Sequence, residues 1–139
     1  MKPYEVVEHT AEIGIRATGR TLEELFAHMA QGMFSLIVPP EEVKRELTLP
    51  VRVAAGDRDR LLVSWLRELL FLFDTKRVIG GSFEVCFTTP TRIEATVSGE
   101  KLDLSRHHVD KEVKAVTYCD FSLTQGPEGM WTAQVIFDI

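Results

Sequence analysis

Two segments of the chain carry apolar residues at the spacing of an amphipathic helix. In the first, RTLEELFAHMAQGMFSLIV, Thr21 and Glu24 have the spacing of a capping box, so a helix should begin just after Thr21. The second lies within GDRDRLLVSWLRELLFLFDT, where Asp57 or Asp59 is suited to cap the N-terminus. Its last turns are apolar on nearly all sides, which predicts that it is the more buried of the two helices. The apolar stripes consist of Leu22, Leu25, Phe26, Met29, Met33 and Phe34, and of Leu61, Leu62, Trp65, Leu66, Leu69, Leu70 and Phe73.

The rest of the chain alternates apolar and polar residues as strands do. YEVVE and IGIRATG flank a polar loop, and ELTLPVRVAA follows the first helix, with Pro50 indicating a strand that is bulged or at an edge. After the second helix come SFEVCFTT, TRIEATVSG, EVKAVTYCDFSLT and MWTAQVIFDI, the last two predicting a hairpin. This order predicts an α+β fold in which two helices pack on one face of a mainly antiparallel β-sheet. No repeat or linker interrupts residues 1–139, so we expect a single domain.

Charge and composition narrow the classes of partner. The chain has 16 Lys and Arg against 21 Asp and Glu, and a net charge of -5 disfavours strong direct binding to nucleic acid. The N-terminal MKPYEVVEH lacks the apolar segment of a signal peptide, and LLFLF is too short to span a bilayer, so we expect a cytoplasmic protein without a membrane anchor. Cys86 and Cys119 lie in strand-like segments without metal-binding spacing, which predicts buried, reduced thiols.

Familiar catalytic motifs are missing from the sequence. It contains no P-loop, GxGxxG, nucleophile elbow or HExxH, which disfavours the common nucleotide-binding, hydrolase and metalloprotease classes. His28 lies off the apolar stripe of the first helix, which predicts a solvated side chain. His107 and His108 are adjacent and would diverge, so they form a poor pair of metal ligands. Their segment, LDLSRHHVDKEVKAVTY, is locally basic; it is either an ordinary polar loop or a partner contact made by Arg106, His107 and Lys114.

The polar loop VEHTAEIG permits two interpretations. His9 and Glu12 fit an ordinary turn with a solvent-facing acid, just as the terminal FDI fits an ordinary strand end. Alternatively, Asp138 and the α-carboxylate of Ile139 join Glu12 in an all-oxygen site suited to Ca²⁺ or Mg²⁺. A bound cation would relieve the repulsion among three clustered carboxylates. His9 is a further candidate for a partner contact.

Four motifs in order, EHTAEIGIRATG, LLVSWLRELLFLFDT, VKAVTY and VIFDI, resemble archease over nearly the whole chain. The resemblance implies a small, non-catalytic activator of a GTP-dependent RtcB-type RNA ligase in tRNA splicing and RNA repair, which promotes guanylylation of a ligase histidine and multiple turnover. It also implies that Glu12, Asp138 and Ile139 bind a divalent cation, Ca²⁺ first, with Mg²⁺ or Mn²⁺ as alternatives. Two positions depart from the family: Glu12 replaces the usual Asp, and Cys119 replaces the histidine that commonly follows VKAVTY.

Two other functions compete with ligase activation. One is a chaperone or specificity modulator of another tRNA-processing enzyme, such as a tRNA methyltransferase, a role also proposed within the family. The other is a metal-dependent enzyme that uses Glu12 as a base near Mg²⁺. We disfavour the enzyme because no nucleophile or phosphate-binding loop accompanies the acids.

Overall fold

A computed structural model describes residues 3–8 and 11–139, and these residues form seven strands and two α-helices. Every strand pair in these ranges is antiparallel. The elements in order are β1 (Tyr4–Glu8), β2 (Glu12–Gly19), α1 (Leu22–Ile37), a short 3-10 helix (Pro40–Glu42), β3 (Leu47–Ala54), α2 (Arg58–Lys76), β4 (Val78–Thr89), β5 (Arg92–Lys101), β6 (Ala115–Gln125) and β7 (Trp131–Asp138).

The strands form two sheets. One has the order β1-β2-β7-β6 and the other the order β3-β5-β4. The predicted α+β class and antiparallel pairing are confirmed, as are the final hairpin and the edge position of the strand with Pro50. The single predicted sheet is replaced by two, because alternation shows which face of a strand is buried and does not show which strand is its neighbour.

Both helices begin where their caps predict. The Thr21 hydroxyl accepts the Glu24 N–H at 3.1 Å, and the Glu24 carboxylate accepts the Arg20 N–H at 3.3 Å. Asp57 caps α2 by accepting the Arg60 N–H at 2.8 Å. Each cap satisfies an N–H that lacks a partner within its helix. None of the helices in the described part of the chain is long and apolar enough to cross a membrane.

The helices connect the two sheets. α1 packs on β1, β2 and β7 of one sheet and on β4 of the other, whereas α2 packs on β6, β3 and β4. The fully buried Trp65 of α2 donates its indole N–H to the Phe26 carbonyl of α1 at 3.0 Å, so the helices are tied together within the core. The prediction that α2 is the more buried helix is wrong, because nine of the 16 residues of α1 are buried and only eight of the 19 residues of α2. In the last turns of α2, Phe71 is 58% exposed.

A wide bulge interrupts β6. Thr117 stands opposite Ile136 and Ser122 opposite Gln134, so residues 118–121 face a single residue of β7. Asp120 in this bulge has a φ of 48°, a left-handed conformation that Asp tolerates better than most residues. Bulges of this kind redirect side chains at the edges of sheets. The bulge brings residues 118–121 near the place where the start of β2 pairs with the end of β7, as described below.

Candidate metal centre

The pairing of β2 with β7 brings Glu12 and Asp138 together. Glu12 is the first residue of β2, Asp138 is the last of β7, and the two are direct partners in the antiparallel register. Residues directly opposite in such a pair share one face of the sheet, with Cβ atoms roughly 4.5–5.5 Å apart. Their neighbours Ile13 and Phe137 are buried on the inner face, so the two carboxylates lie on the outer face, where both are partly exposed.

The chain end is fixed beside this pair. The Ile139 N–H donates to the Ala11 carbonyl at 3.2 Å, and the Lys114 N–H donates to the Asp138 carbonyl at 2.8 Å. The Ile139 side chain packs against the hydrophobic core, as the alternation of the last strand predicts. The backbone at Asp138 and Ile139 is therefore held from both sides, next to the start of β2.

The start of β2 and the end of β7 form one corner of the sheet, and the oxygen ligands at this corner suit a hard cation. Carboxylate oxygens are the preferred ligands of Ca²⁺ and Mg²⁺. Within residues 3–8 and 11–139, no basic side chain forms an ion pair with Glu12 or Asp138. The same ranges contain no group of three or more His, Cys, Asp or Glu side chains that could hold a metal ion.

The β6 bulge lies beside the same corner. Gln134, on the outer face of β7, donates from Nε2 to the Asp120 carbonyl at 2.9 Å and accepts from Arg16 Nε at 2.7 Å. The carboxylate of Asp120 raises the pKa of the Cys119 thiol most, followed by desolvation and by the charges of Glu12 and Asp138. The bulge is thus within electrostatic reach of both predicted ligands.

The comparisons with known proteins bear on the whole of this chain. Residues 4–139 match the archease protein family (MTH1598/TM1083). The chain belongs to the archease family. Protein archease of Pyrococcus furiosus is 37% identical over 100% of both chains, and that of Methanosarcina mazei is 40% identical over 99% of this chain and 97% of the relative. The solution structure of Methanobacterium thermoautotrophicum protein 1598 is similar, with a TM-score of 0.83 and 30% identity over 100% of both chains.

The basic segment of this archease-family chain does not form one exposed surface. Arg106 and His107 instead surround Glu100, which is 3% exposed. Arg106 donates to both Glu100 oxygens, and His107 Nε2 lies 3.0 Å from Oε2, which also accepts the Lys44 N–H at 2.6 Å. The hydrogen bond from Arg106 is the main cause that lowers the pKa of Glu100 to about 2. The buried side chain of His107 accepts the Asp103 N–H at Nδ1, which leaves the proton on Nε2 for Glu100.

These contacts bear on several predictions. The basic segment was predicted to be either a polar loop or a partner contact, and Arg106 and His107 bind Glu100 and hold residues 102–107 to the end of β5, which favours the polar loop. Lys114 is exposed, and its N–H group donates to the Asp138 carbonyl, so this lysine lies beside the candidate metal centre. His9 falls outside the described residues. The prediction of a solvated His28 is wrong, because its Nδ1 lies 2.6 Å from the Thr18 carbonyl in a partly buried position.

Both cysteines are also placed differently from the prediction. Cys86 and Cys119 are free, as expected, but both are exposed. Cys86 lies on the outer face of the three-stranded sheet, opposite Glu94, and Cys119 lies in the bulge. One feature of the sequence indicates the bulge. Val116 and Leu123 both face the core although their odd spacing would put them on opposite faces of a regular strand.

Proposed function

We propose that this chain is a non-catalytic activator of a GTP-dependent RtcB-type RNA ligase. It acts through a divalent cation, Ca²⁺ first, held by Glu12, Asp138 and the α-carboxylate of Ile139. One observation carries the proposal: the two side chains that the family resemblance assigns to the cation come from opposite ends of the chain and are direct partners in the sheet. Membership of the archease family over residues 4–139 supports the same function.

The residues at the corner would have different roles in binding the cation. Glu12 and Asp138 would supply carboxylate oxygens from two adjacent strands, whose hydrogen-bonded register limits how far the ligands can separate. The backbone bonds at Ile139 and Asp138 hold the chain end in place, so little ordering is needed when the ion binds. When bound, the cation supplies positive charge that can stabilise phosphate oxygens.

Glu12 provides a matched test of the ligand set. Its side chain is one methylene longer than the Asp that the family usually has here, so its charge is kept while its reach changes. We therefore expect Glu12→Asp to retain cation binding, and Glu12→Gln to lose most of it. Asp138→Asn should resemble Glu12→Gln because it also removes one negative oxygen ligand.

The function is tested by the guanylylation of an RtcB-type ligase. The ligase is incubated with labelled GTP, divalent cation and a sub-stoichiometric amount of the chain, and the covalent GMP adduct and the number of ligation turnovers are measured. The wild-type chain and Glu12→Asp should accelerate adduct formation and sustain turnover, whereas Glu12→Gln and Asp138→Asn should not. A wild-type chain that leaves both quantities unchanged would refute ligase activation.

A further inference from the structure

Two large aromatic side chains are exposed, one on α2 and one on the β6 bulge beside the candidate metal centre. Phe71 of α2 is 58% exposed, and Tyr118, the first residue of the β6 bulge, is 46% exposed. Large exposed aromatic side chains are common at protein interfaces, because they bury much area with few rotatable bonds. Arg67 connects the two: it precedes Phe71 by one helical turn, and its guanidinium carbon lies 5.3 Å from the centroid of the Tyr118 ring. We call Arg67, Phe71 and Tyr118 the aromatic patch.

The aromatic patch is held in place before any partner arrives. Arg67 donates from Nε and Nη2 to the Val116 carbonyl at 3.3 and 3.0 Å, which ties α2 to β6 just before the bulge. The Tyr118 ring packs between Arg67 and Phe121, whose ring centroid is 6.0 Å away. Side chains that are already ordered lose less conformational entropy on binding. The patch is therefore suited to a stable contact.

Carboxylates lie on two sides of the aromatic patch, next to the positive charges of Arg67 within it and of Lys114 beside Asp138. Tyr118 is followed by Cys119 and Asp120, and the Cys119 thiol senses the charges of Asp120, Glu12 and Asp138. Asp74 is exposed on α2, one turn beyond Phe71. A partner that covers this surface needs an apolar centre and a positively charged rim. A protein that binds GTP and RNA phosphates has such cationic surroundings at its nucleotide site.

We propose that the aromatic patch docks on the RNA ligase beside its basic nucleotide-binding surface. This inference rests on the proposed function for the identity of the partner, and it assigns the contact to residues outside the cation ligands. With Phe71 and Tyr118 in an apolar contact, the adjoining corner of β2 and β7 faces the ligase. Direct stacking of RNA bases on these aromatic side chains is disfavoured, because the neighbouring carboxylates repel phosphates.

The test separates docking from cation binding. The double variant Phe71→Ser, Tyr118→Ser is compared with Leu104→Ser, which removes a 74% exposed apolar side chain from another loop. The Kd for the ligase is measured by calorimetry, and the rise in melting temperature caused by Ca²⁺ is measured on each chain alone. We expect the double variant to raise the Kd at least about tenfold, a loss of roughly 1.4 kcal/mol. Leu104→Ser should leave the Kd unchanged, and both variants should keep the Ca²⁺-induced rise.

Other outcomes contradict the inference in distinguishable ways. If wild type and the double variant bind and stimulate the ligase equally, or if Leu104→Ser weakens binding as much, the aromatic patch is not the docking surface and ligase activation stands. If the double variant loses affinity for a labelled single-stranded RNA while its Kd for the ligase is unchanged, the patch is an RNA contact. If the wild-type chain neither binds nor stimulates the ligase, the proposed function itself fails.

Discussion

At the scale of single residues, Cys119 reports on the charges at the candidate metal centre. Asp120 raises its pKa most, and Glu12 and Asp138 raise it further. A cation bound between Glu12 and Asp138 would offset part of this negative field, so we predict that Ca²⁺ lowers the Cys119 pKa. The pKa is read from the pH dependence of alkylation in a Cys86→Ser background, where Cys119 is the remaining cysteine.

Asp120→Asn is the matched control for this measurement. It removes the largest single cause of the raised pKa, so it should lower the Cys119 pKa without added cation. This result establishes that alkylation detects the loss of one neighbouring charge. If Asp120→Asn lowers the pKa while saturating Ca²⁺ does not, the cation does not bind beside Glu12 and Asp138.

At the scale of elements, Glu100 fastens the segment between β5 and β6. The segment packs over the end of α1, where Asp110 and Lys111 donate their N–H groups to the Ile37 and Leu36 carbonyls at 2.8 and 3.0 Å. These bonds satisfy carbonyls that have no partner within the helix. At the other end of the segment, Arg106 and His107 bind the Glu100 carboxylate. The ion pair with Glu100 therefore stabilises a connection that runs from β5 to the first residue of β6.

This connection predicts a specific dependence of stability on pH. The folded-state pKa of Glu100 is lowered from 4.5 to about 2, so its stabilising contribution is present above pH 4.5 and is lost as the pH falls towards 2. We predict that wild type is more stable than Glu100→Gln at neutral pH. The difference should shrink by on the order of 3 kcal/mol on acidification from about pH 7 to about pH 2. Urea unfolding at several pH values measures it, and a constant difference would contradict the assignment.

Local and distant contacts differed in how well the sequence predicted them. The starts of α1 and α2 were predictable because each cap and its N–H partner are three residues apart. The division of the strands into two sheets was not, because pairing depends on contacts between distant segments. The burial of His107 was missed for a similar reason. Glu100, its partner, is buried only once residues 102–107 fold back over the end of β5.

At the scale of the whole molecule, the fold joins the two ends of the sequence. Periodicity predicted strands at both ends, but no spacing rule indicated that Glu12 and Asp138 would be direct partners. The cation site was expected from the family resemblance, and the register now gives a geometric reason to test it. The apolar stripe predicted for α2 already leaves out the exposed Phe71, but no pattern in the sequence indicated that Tyr118 would lie in a bulge beside this helix.

The most direct test of the cation site is the melting temperature of three chains with and without Ca²⁺: the native chain, a chain with a C-terminal Gly-Ser-His extension, and a chain with the same extension at the N-terminus. A cation that binds only the folded state stabilises it with the logarithm of its concentration above the Kd. The native and N-terminally extended chains should therefore melt higher in Ca²⁺. The C-terminally extended chain should lose most of this rise, because its Ile139 carboxylate has become a neutral amide. A C-terminally extended chain that keeps the full rise would contradict the site.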